Sequence, residues 1–408
     1  MFSTLETTHA FSPAQPGISS GRRGNSTASC RSARELSRRG HEVTVVASRR
    51  AYDDPSRQFP AREIWNGVEV RRVSGTGFGK GAKWKRAVDF GSFYLRCALE
   101  VFRLRRFDVV VALTSPPLIA VLGALLCRLK GGRLIYWVMD FNPDEAIAAG
   151  WLRAETLLAR ILERLSVFSL KSSHRILALD RFMKEKVVAK GIAEERLLVV
   201  SPWAHTGDVR FDDFGREDFR RQHNLVDKFV VMYSGNHSPC HPLDTLMNAA
   251  RELVSDDSVR FLFVGGGSEQ RRVREFAAAH ALENIVCLSY QPAEKLAGSL
   301  SAADVHVVVM GEQMVGLIHP CKIYNVLQVN APVMVIGPER SHLGDLLSRI
   351  GATEFCSRVD HGDVSRVVSE LKRMRGAGGR ESTGLFANVV KGYRDSSVVP
   401  GLAAELER

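Results

Sequence analysis

With 408 residues the chain is too long for one ordinary α/β domain, and 45% hydrophobic residues can fill the cores of two. Its net charge of +11 is uneven: residues 1–200 carry 33 Lys and Arg against 19 Asp and Glu, and residues 201–408 carry 23 against 26. A basic first half implies an acidic partner, and without any nucleic-acid-binding motif the expectation is an anionic membrane surface or lipid phosphate, with no nucleic acid. Seven scattered cysteines without a CxxC pair exclude a disulfide framework and fit a reduced, cytoplasmic protein.

Residues 1–30 are mostly polar and small, with Gly17, Gly21 and Gly24 as a loose glycine-rich loop. The segment lacks the apolar core of a signal peptide. This stretch is expected to be poorly ordered or atypical. HEVTVVAS (41–48), FDVVVALTS (107–115), RLIYWVMD (133–140) and HRILALD (174–180) are strand-like, and they alternate with helix-like segments. The loop GTGFGKGAK lacks P-loop spacing. After it, Trp84 to Phe107 places Phe90, Phe93, Tyr94, Val101 and Phe102 near helical spacing, flanked by Lys85, Arg86, Arg103, Arg105 and Arg106. Such a helix suits a membrane interface, with Trp84, Lys85, Arg86, Phe90, Arg103, Arg105 and Arg106 as contacts; the alternative is a stripe packed on the sheet. Val109 to Cys127 is the longest uncharged run, but Pro116 and Pro117 split it, against a membrane span.

The segment 201–214 has a proline, a glycine and no apolar period, which predicts a linker and units of 1–203 and 204–382, followed by a helix over 383–408 packing back on the first unit. In the second unit VVMYSG, VRFLFVGGG, IVCLSY and APVMVIG read as parallel strands buried on both faces, as in a doubly wound nucleotide-binding sheet. Gly235 and Gly265, Gly266 and Gly267 follow strand ends, where missing side chains let backbone amides approach a phosphate. Lys322, just before an apolar helical run, can neutralise that phosphate. His237, Cys240, His241, His319 and Cys321 invite a metal reading, but HxxCH followed by HxC is not a zinc spacing, and no metal is expected.

The succession SARELSRRGHEVTVVAS, YWVMDFNPDEAIAAG, YSGNHSPCHPLDTL, FVGGGSEQRRVREFA, LSYQPAEKLAGSLSAADVHVVVM and HPCKIYNVLQVNAPVMVIG resembles family 4 retaining glycosyltransferases of the GT-B fold. The branch it is similar to builds bacterial surface polysaccharides on a polyprenyl-diphosphate lipid. The resemblance implies two Rossmann-like α/β domains facing across a cleft, the first binding a lipid-linked saccharide acceptor and the second a nucleoside-diphosphate sugar, UDP-linked before GDP-linked, with no cofactor. It also implies a peripheral protein at the inner face of the cytoplasmic membrane. The donor would meet Gly235, Asn236, His237, His241, Gly265 to Gly267, His319, Lys322, Ile323, Tyr324 and Asn325; its base would lie near Ser289, Tyr290 and Gln291, and Glu312 would face its sugar. Asp140 is the candidate for orienting or deprotonating the acceptor hydroxyl, with Lys322 the second catalytic candidate. Departures are marked. The family's first strand would end at Phe11 to Pro13, its arginine and lysine in the first loop of the second domain correspond to Asn236 and His241, its paired glutamates fall at Leu317 and Asn325, and Met139 replaces a histidine. The alternatives are an inactive scaffold of a polysaccharide assembly complex and a sugar-nucleotide epimerase.

Overall fold

The apolar runs become the strands of two sheets, in a computed structural model that describes residues 2–5, 23–49, 59–75, 83–104, 107–203, 209–351, 353–377 and 386–408. In the first sheet β1 is Phe2–Leu5, β2 Val43–Ser48, β3 Arg62–Trp65, β4 Val68–Val73, β5 Val109–Ala112, β6 Arg133–Trp137, β7 Arg175–Ala178 and β8 Leu197–Val199. Their order is β3-β4-β2-β1-β5-β6-β7-β8, parallel except for the β3–β4 hairpin. Helices cover the sheet, so β5 is buried at every residue and has no polar alternation. The hairpin turns on Asn66 and Gly67, whose φ angles of 48° and 81° suit a tight two-residue connection.

The first strand departs from the sequence expectation. It lies at Phe2–Leu5, not ending at Phe11 to Pro13, and occupies the middle of the sheet between β2 and β5. The helix Arg23–Arg38 follows and contains Gly24 in its first turn, while Gly17 and Gly21 fall outside the described residues.

The second sheet holds β9 Phe229–Asn236, β10 Val259–Gly266, β11 Ile285–Leu288, β12 Val305–Val309, β13 Val333–Ile336 and β14 Cys356–Val359. All are parallel, in the order β11-β10-β9-β12-β13-β14. The helix Asp395–Glu407 buries Val399, Leu402 and Leu406 in the core of the first sheet, and Glu407 pairs with Arg39 and His41 there. The chain therefore passes from the first sheet to the second and returns.

The helix Lys83–Arg103 buries Phe93, Cys97 and Val101, one face at i, i+4 and i+8, against the first sheet. Its other face exposes Leu95, Leu99 and Phe102 beside Arg96 and Arg103. Trp84, Lys85, Arg86 and Phe90 lie in the first half of this helix, and Arg105 and Arg106 fall outside the described residues. Among the described residues no helix is long and apolar enough to cross a membrane.

Candidate functional site: a glycine turn beneath a buried lysine

β9 and β10 end side by side, with Gly235 opposite Gly265 and Asn236 opposite Gly266. Only glycine fits here. A Cβ on Gly265, at φ 139°, would stand 2.0 Å from the Gly235 carbonyl oxygen, and one on Gly267, at φ 133°, would stand 2.1 Å from that of His237. The Tyr290 ring lies against Gly265 and Gly266, and its hydroxyl donates to the Gly266 carbonyl at 3.2 Å. Gln270, at the start of the helix Gln270–Ala279, donates through Nε2 to the Gly265 and Leu288 carbonyls at 2.9 and 3.0 Å. That residue had no sequence signal beyond its place after the glycines, and it ties the turn to β11. Ser289 and Asn236 are exposed beside the turn, and Gln291 donates to the Ser289 carbonyl.

Lys322 opens the helix Lys322–Gln328 and passes over Gly235, where a Cβ would lie 3.3 Å from the lysine Cδ. Its Nζ sits 3.7 Å from the centre of the Tyr233 ring, buried and without a hydrogen-bond partner. Neither ring nitrogen of the fully buried His237 has a partner either. Burial pushes the Lys322 amine well below the usual lysine range, and burial followed by the nearby Lys322 pushes His237 down to about 4. His241 is held down by the same two causes, and its Nδ1 lies 2.8 Å from the Val309 carbonyl, to which it donates. A buried donor left unsatisfied costs about 1–3 kcal/mol. An anion accepting from Lys322 and His237 would remove that cost. Asn325 adds a buried, unpartnered Oδ1, whereas Ile323 points into the apolar core of the second sheet.

Asp140 approaches from the first sheet, just beyond β6, its amide donating to Thr114 Oγ1 at 3.2 Å. Its charge reaches across to the second sheet. Burial and then Asp140 push the Cys321 thiol up to about 12, and burial, Glu145 and Asp140 push Cys240 up to about 11. Neither thiol is a nucleophile or ready metal ligand at neutral pH. Next to Asp140, the Phe141 amide donates to the Leu317 carbonyl at 2.8 Å, joining the two halves. Glu312 is exposed on a 3-10 turn that packs against the helix Asp144–Ala148 of the first half.

His319 and Tyr324 are hydrogen-bonded to each other and, through Asp180, to the first half. His319 Nδ1 donates to Asp180 Oδ2 at 2.7 Å, and its Nε2 lies 2.8 Å from the Tyr324 hydroxyl. Tyr324 stacks on Tyr393, with ring centres 4.5 Å apart. Both residues support the cleft floor with their polar atoms already engaged. The group His237, Cys240, His241, His319 and Cys321 does not assemble; among the described residues the cluster with metal-ligand proximity is Asp180, His319 and His342.

Residues 23–203 match the family described as Glycosyl transferase 4-like domain. The chain is thus a glycosyltransferase, and it is 26% identical over 271 residues to the probable glycosyltransferase WbjE of Pseudomonas aeruginosa, covering 66% of this chain and 67% of the relative. Its fold is similar to that of sucrose-phosphate synthase from Thermosynechococcus elongatus, with a TM-score of 0.75 at 13% identity over 100% of this chain and 98% of that one. It is also similar to HepE of Anabaena, solved in complex with UDP-glucose, with a TM-score of 0.67 at 12% identity over 99% and 98% of the chains. A third likeness, to WaaG, a glycosyltransferase involved in lipopolysaccharide biosynthesis, has a TM-score of 0.64 at 14% identity over 100% and 99%. The transferase therefore has the GT-B architecture, with a largely parallel sheet in each half.

Proposed function

We propose that this transferase moves a sugar from a nucleoside diphosphate, UDP before GDP, to a hydroxyl of a lipid-linked saccharide in surface polysaccharide synthesis, with retention at the anomeric carbon. The observation that carries the reading is the buried, unpartnered amine of Lys322 beside the equally unpartnered His237 and the glycine turn. In the transfer the bond from the anomeric carbon to the diphosphate breaks, and one from the acceptor oxygen forms. Negative charge grows on the departing diphosphate, and Lys322, His237 and the turn's backbone meet it in a site shielded from water. Asp140 accepts a hydrogen bond from the acceptor hydroxyl and orients it on the face that the diphosphate leaves, and the hydroxyl proton passes to the departing diphosphate as the new bond forms. Glu312 and Asn325 are the sugar-facing groups, and Ser289 to Gln291 the base-facing ones. Support comes from the UDP-glucose complex of HepE and from the WbjE relative. The units are 1–203 for the acceptor, 204–382 for the donor and 383–408 as the returning helix.

The acceptor side of this reading faces a membrane. Outward from the helix Lys83–Arg103 the helices Ile119–Lys130 and Leu157–Ser172 lie in a row, exposing Leu99, Leu129, Leu158 and Ile161 between Arg96 and Arg160. Apolar side chains set among arginines suit the interface of an anionic bilayer at the cytoplasmic face. Flotation with anionic vesicles checks this part, and protein left wholly unbound would remove it.

The donor reading is tested by thermal shift with UDP, GDP, ADP and their sugar conjugates. A ligand at 100 times its dissociation constant adds about 2.7 kcal/mol. Stabilisation by one base and not the others is the expected result; no stabilisation by any of them, in folded protein, sinks the reading.

A further inference from the structure

We infer that Asp180 and His319 are positioning residues for Lys322: a hydrogen bond between the two sheets fixes the turn from which that lysine reaches the nucleotide. Asp180 stands just beyond β7 and uses both carboxylate oxygens. Oδ1 accepts from the Met183 amide at 2.8 Å and caps the helix Arg181–Ala189, and Oδ2 accepts from His319 Nδ1 at 2.7 Å. A carboxylate only accepts, so Nδ1 carries a proton and Nε2 is left for the Tyr324 hydroxyl. The two side chains are 8% and 2% exposed, so little water competes for this charge-assisted bond.

The sequence HPCKIY places Lys322 between His319 and Tyr324. The imidazole therefore ties the residues on either side of the lysine to each other and, through Asp180, to the first sheet. His342 stacks on His319 with ring centres 3.8 Å apart and brings its Nδ1 to 3.8 Å from Asp180 Oδ2. Other charges on the packed elements are turned outward: Arg181 donates to Asp345 at 2.6 Å on the exposed rim, and Arg340 pairs with Glu185. Asp180, His319 and His342 also offer three ligand atoms within 4.8 Å of one another. Stacked rings inclined by only 24° do not converge their lone pairs on one point, and the Asp180–His319 proton already fills the position, so a hydrogen-bonded pair describes the cluster better than an ion site.

The inference rests on the nucleotide reading above and is tested by a double-mutant cycle with UDP as the probe, measured by titration calorimetry on the full chain. Asp180→Asn keeps an acceptor for the Met183 amide and removes the charge. It is expected to weaken UDP binding at least tenfold when Lys322 is present and less than twofold in a Lys322→Ala background. Equal losses in both backgrounds mean general loosening and overturn the inference, as does unchanged affinity in Asp180→Asn. His319→Gln, which leaves the cap untouched, must show the same non-additivity and serves alone if Asp180→Asn does not fold. A wild-type chain that binds neither UDP nor GDP would instead remove the nucleotide reading, whereas a binding wild type with an additive cycle removes this inference alone.

Discussion

Replacing Lys322 by methionine should stabilise the empty protein and disable its nucleotide response, two changes of opposite sign from one side chain. Methionine keeps most of the stem that lies over Gly235 and Tyr233 and removes an amine that is buried without a partner. Relief of an unsatisfied donor is worth about 1–3 kcal/mol. Loss of the contact with the Tyr233 face returns about 0.5–2 kcal/mol. The net is a gain of about 1 kcal/mol, which in a domain near 200 residues raises Tm by about 2–4 °C. A charge-assisted bond to a diphosphate is worth about 1.5–3 kcal/mol, so affinity falls about 10- to 150-fold. A 100-fold loss, at a UDP concentration giving about 2.7 kcal/mol in the wild type, leaves about 0.4 kcal/mol. Differential scanning fluorimetry with and without UDP reads both quantities. A Tm that drops in the empty variant, together with an undiminished UDP shift, would refute the assignment of this amine to the diphosphate.

Gly265→Ala should cost more than 2 kcal/mol, because its Cβ has only 2.0 Å to the Gly235 carbonyl at a φ of 139°, and nucleotide binding should vanish with the distorted turn; urea unfolding and UDP titration check the two parts. Asp140→Asn should leave UDP affinity within twofold and lower transfer at least a hundredfold, a split visible when binding and turnover are measured on the same preparation. Stability should fall as pH drops from 7 to 5. His237, held near 4, and His342, held well below its usual value by burial, refuse protons that the unfolded chain accepts, so their contribution is whole above about 6.5 and is lost as pH falls towards the folded values. Each costs about 1.4 kcal/mol per pH unit in that window. Asp180, lowered in the folded state, adds a loss only below its unfolded value near 3.8. Flat urea midpoints between pH 7 and 5 would show that these imidazoles are solvated.

Legibility in the sequence followed the physics of each element. β5, β9, β10 and β13 could be read because sheets covered on both faces need unbroken apolar runs. β1 has the sequence FSTL, which alternates polar with apolar and is indistinguishable from a loop; its central place comes from pairing with β2 and β5, far along the chain. The β3–β4 hairpin went unread although Asn66-Gly67 is a strong two-residue turn signal, which short apolar runs on either side obscured. In the candidate site, the glycines were legible since a strand end closing on a neighbouring carbonyl tolerates nothing larger, while the passage of Lys322 over Gly235 depends on a packing that no local pattern encodes. Asp180 was visible only as a strand end. Its partner His319 is 139 residues away, and no local pattern encodes a bond between two sheets.

A second contact between the sheets occupies a position where the resemblance leads one to expect a carboxylate. Leu317, where relatives of this kind would place a glutamate, buries its side chain in the core of the first sheet and gives its carbonyl to the Phe141 amide. A glutamate there would bring a charge into that apolar contact at a cost of several kcal/mol. The position thus serves the junction between sheets and cannot also bind a sugar hydroxyl. Without a carboxylate at this position, the buried Lys322 amine that is proposed to meet the diphosphate has no acidic competitor there. In the proposed reading, discrimination among sugars would then fall to neutral groups, of which the unpartnered Asn325 Oδ1 is the buried example, and to Glu312 on the exposed rim.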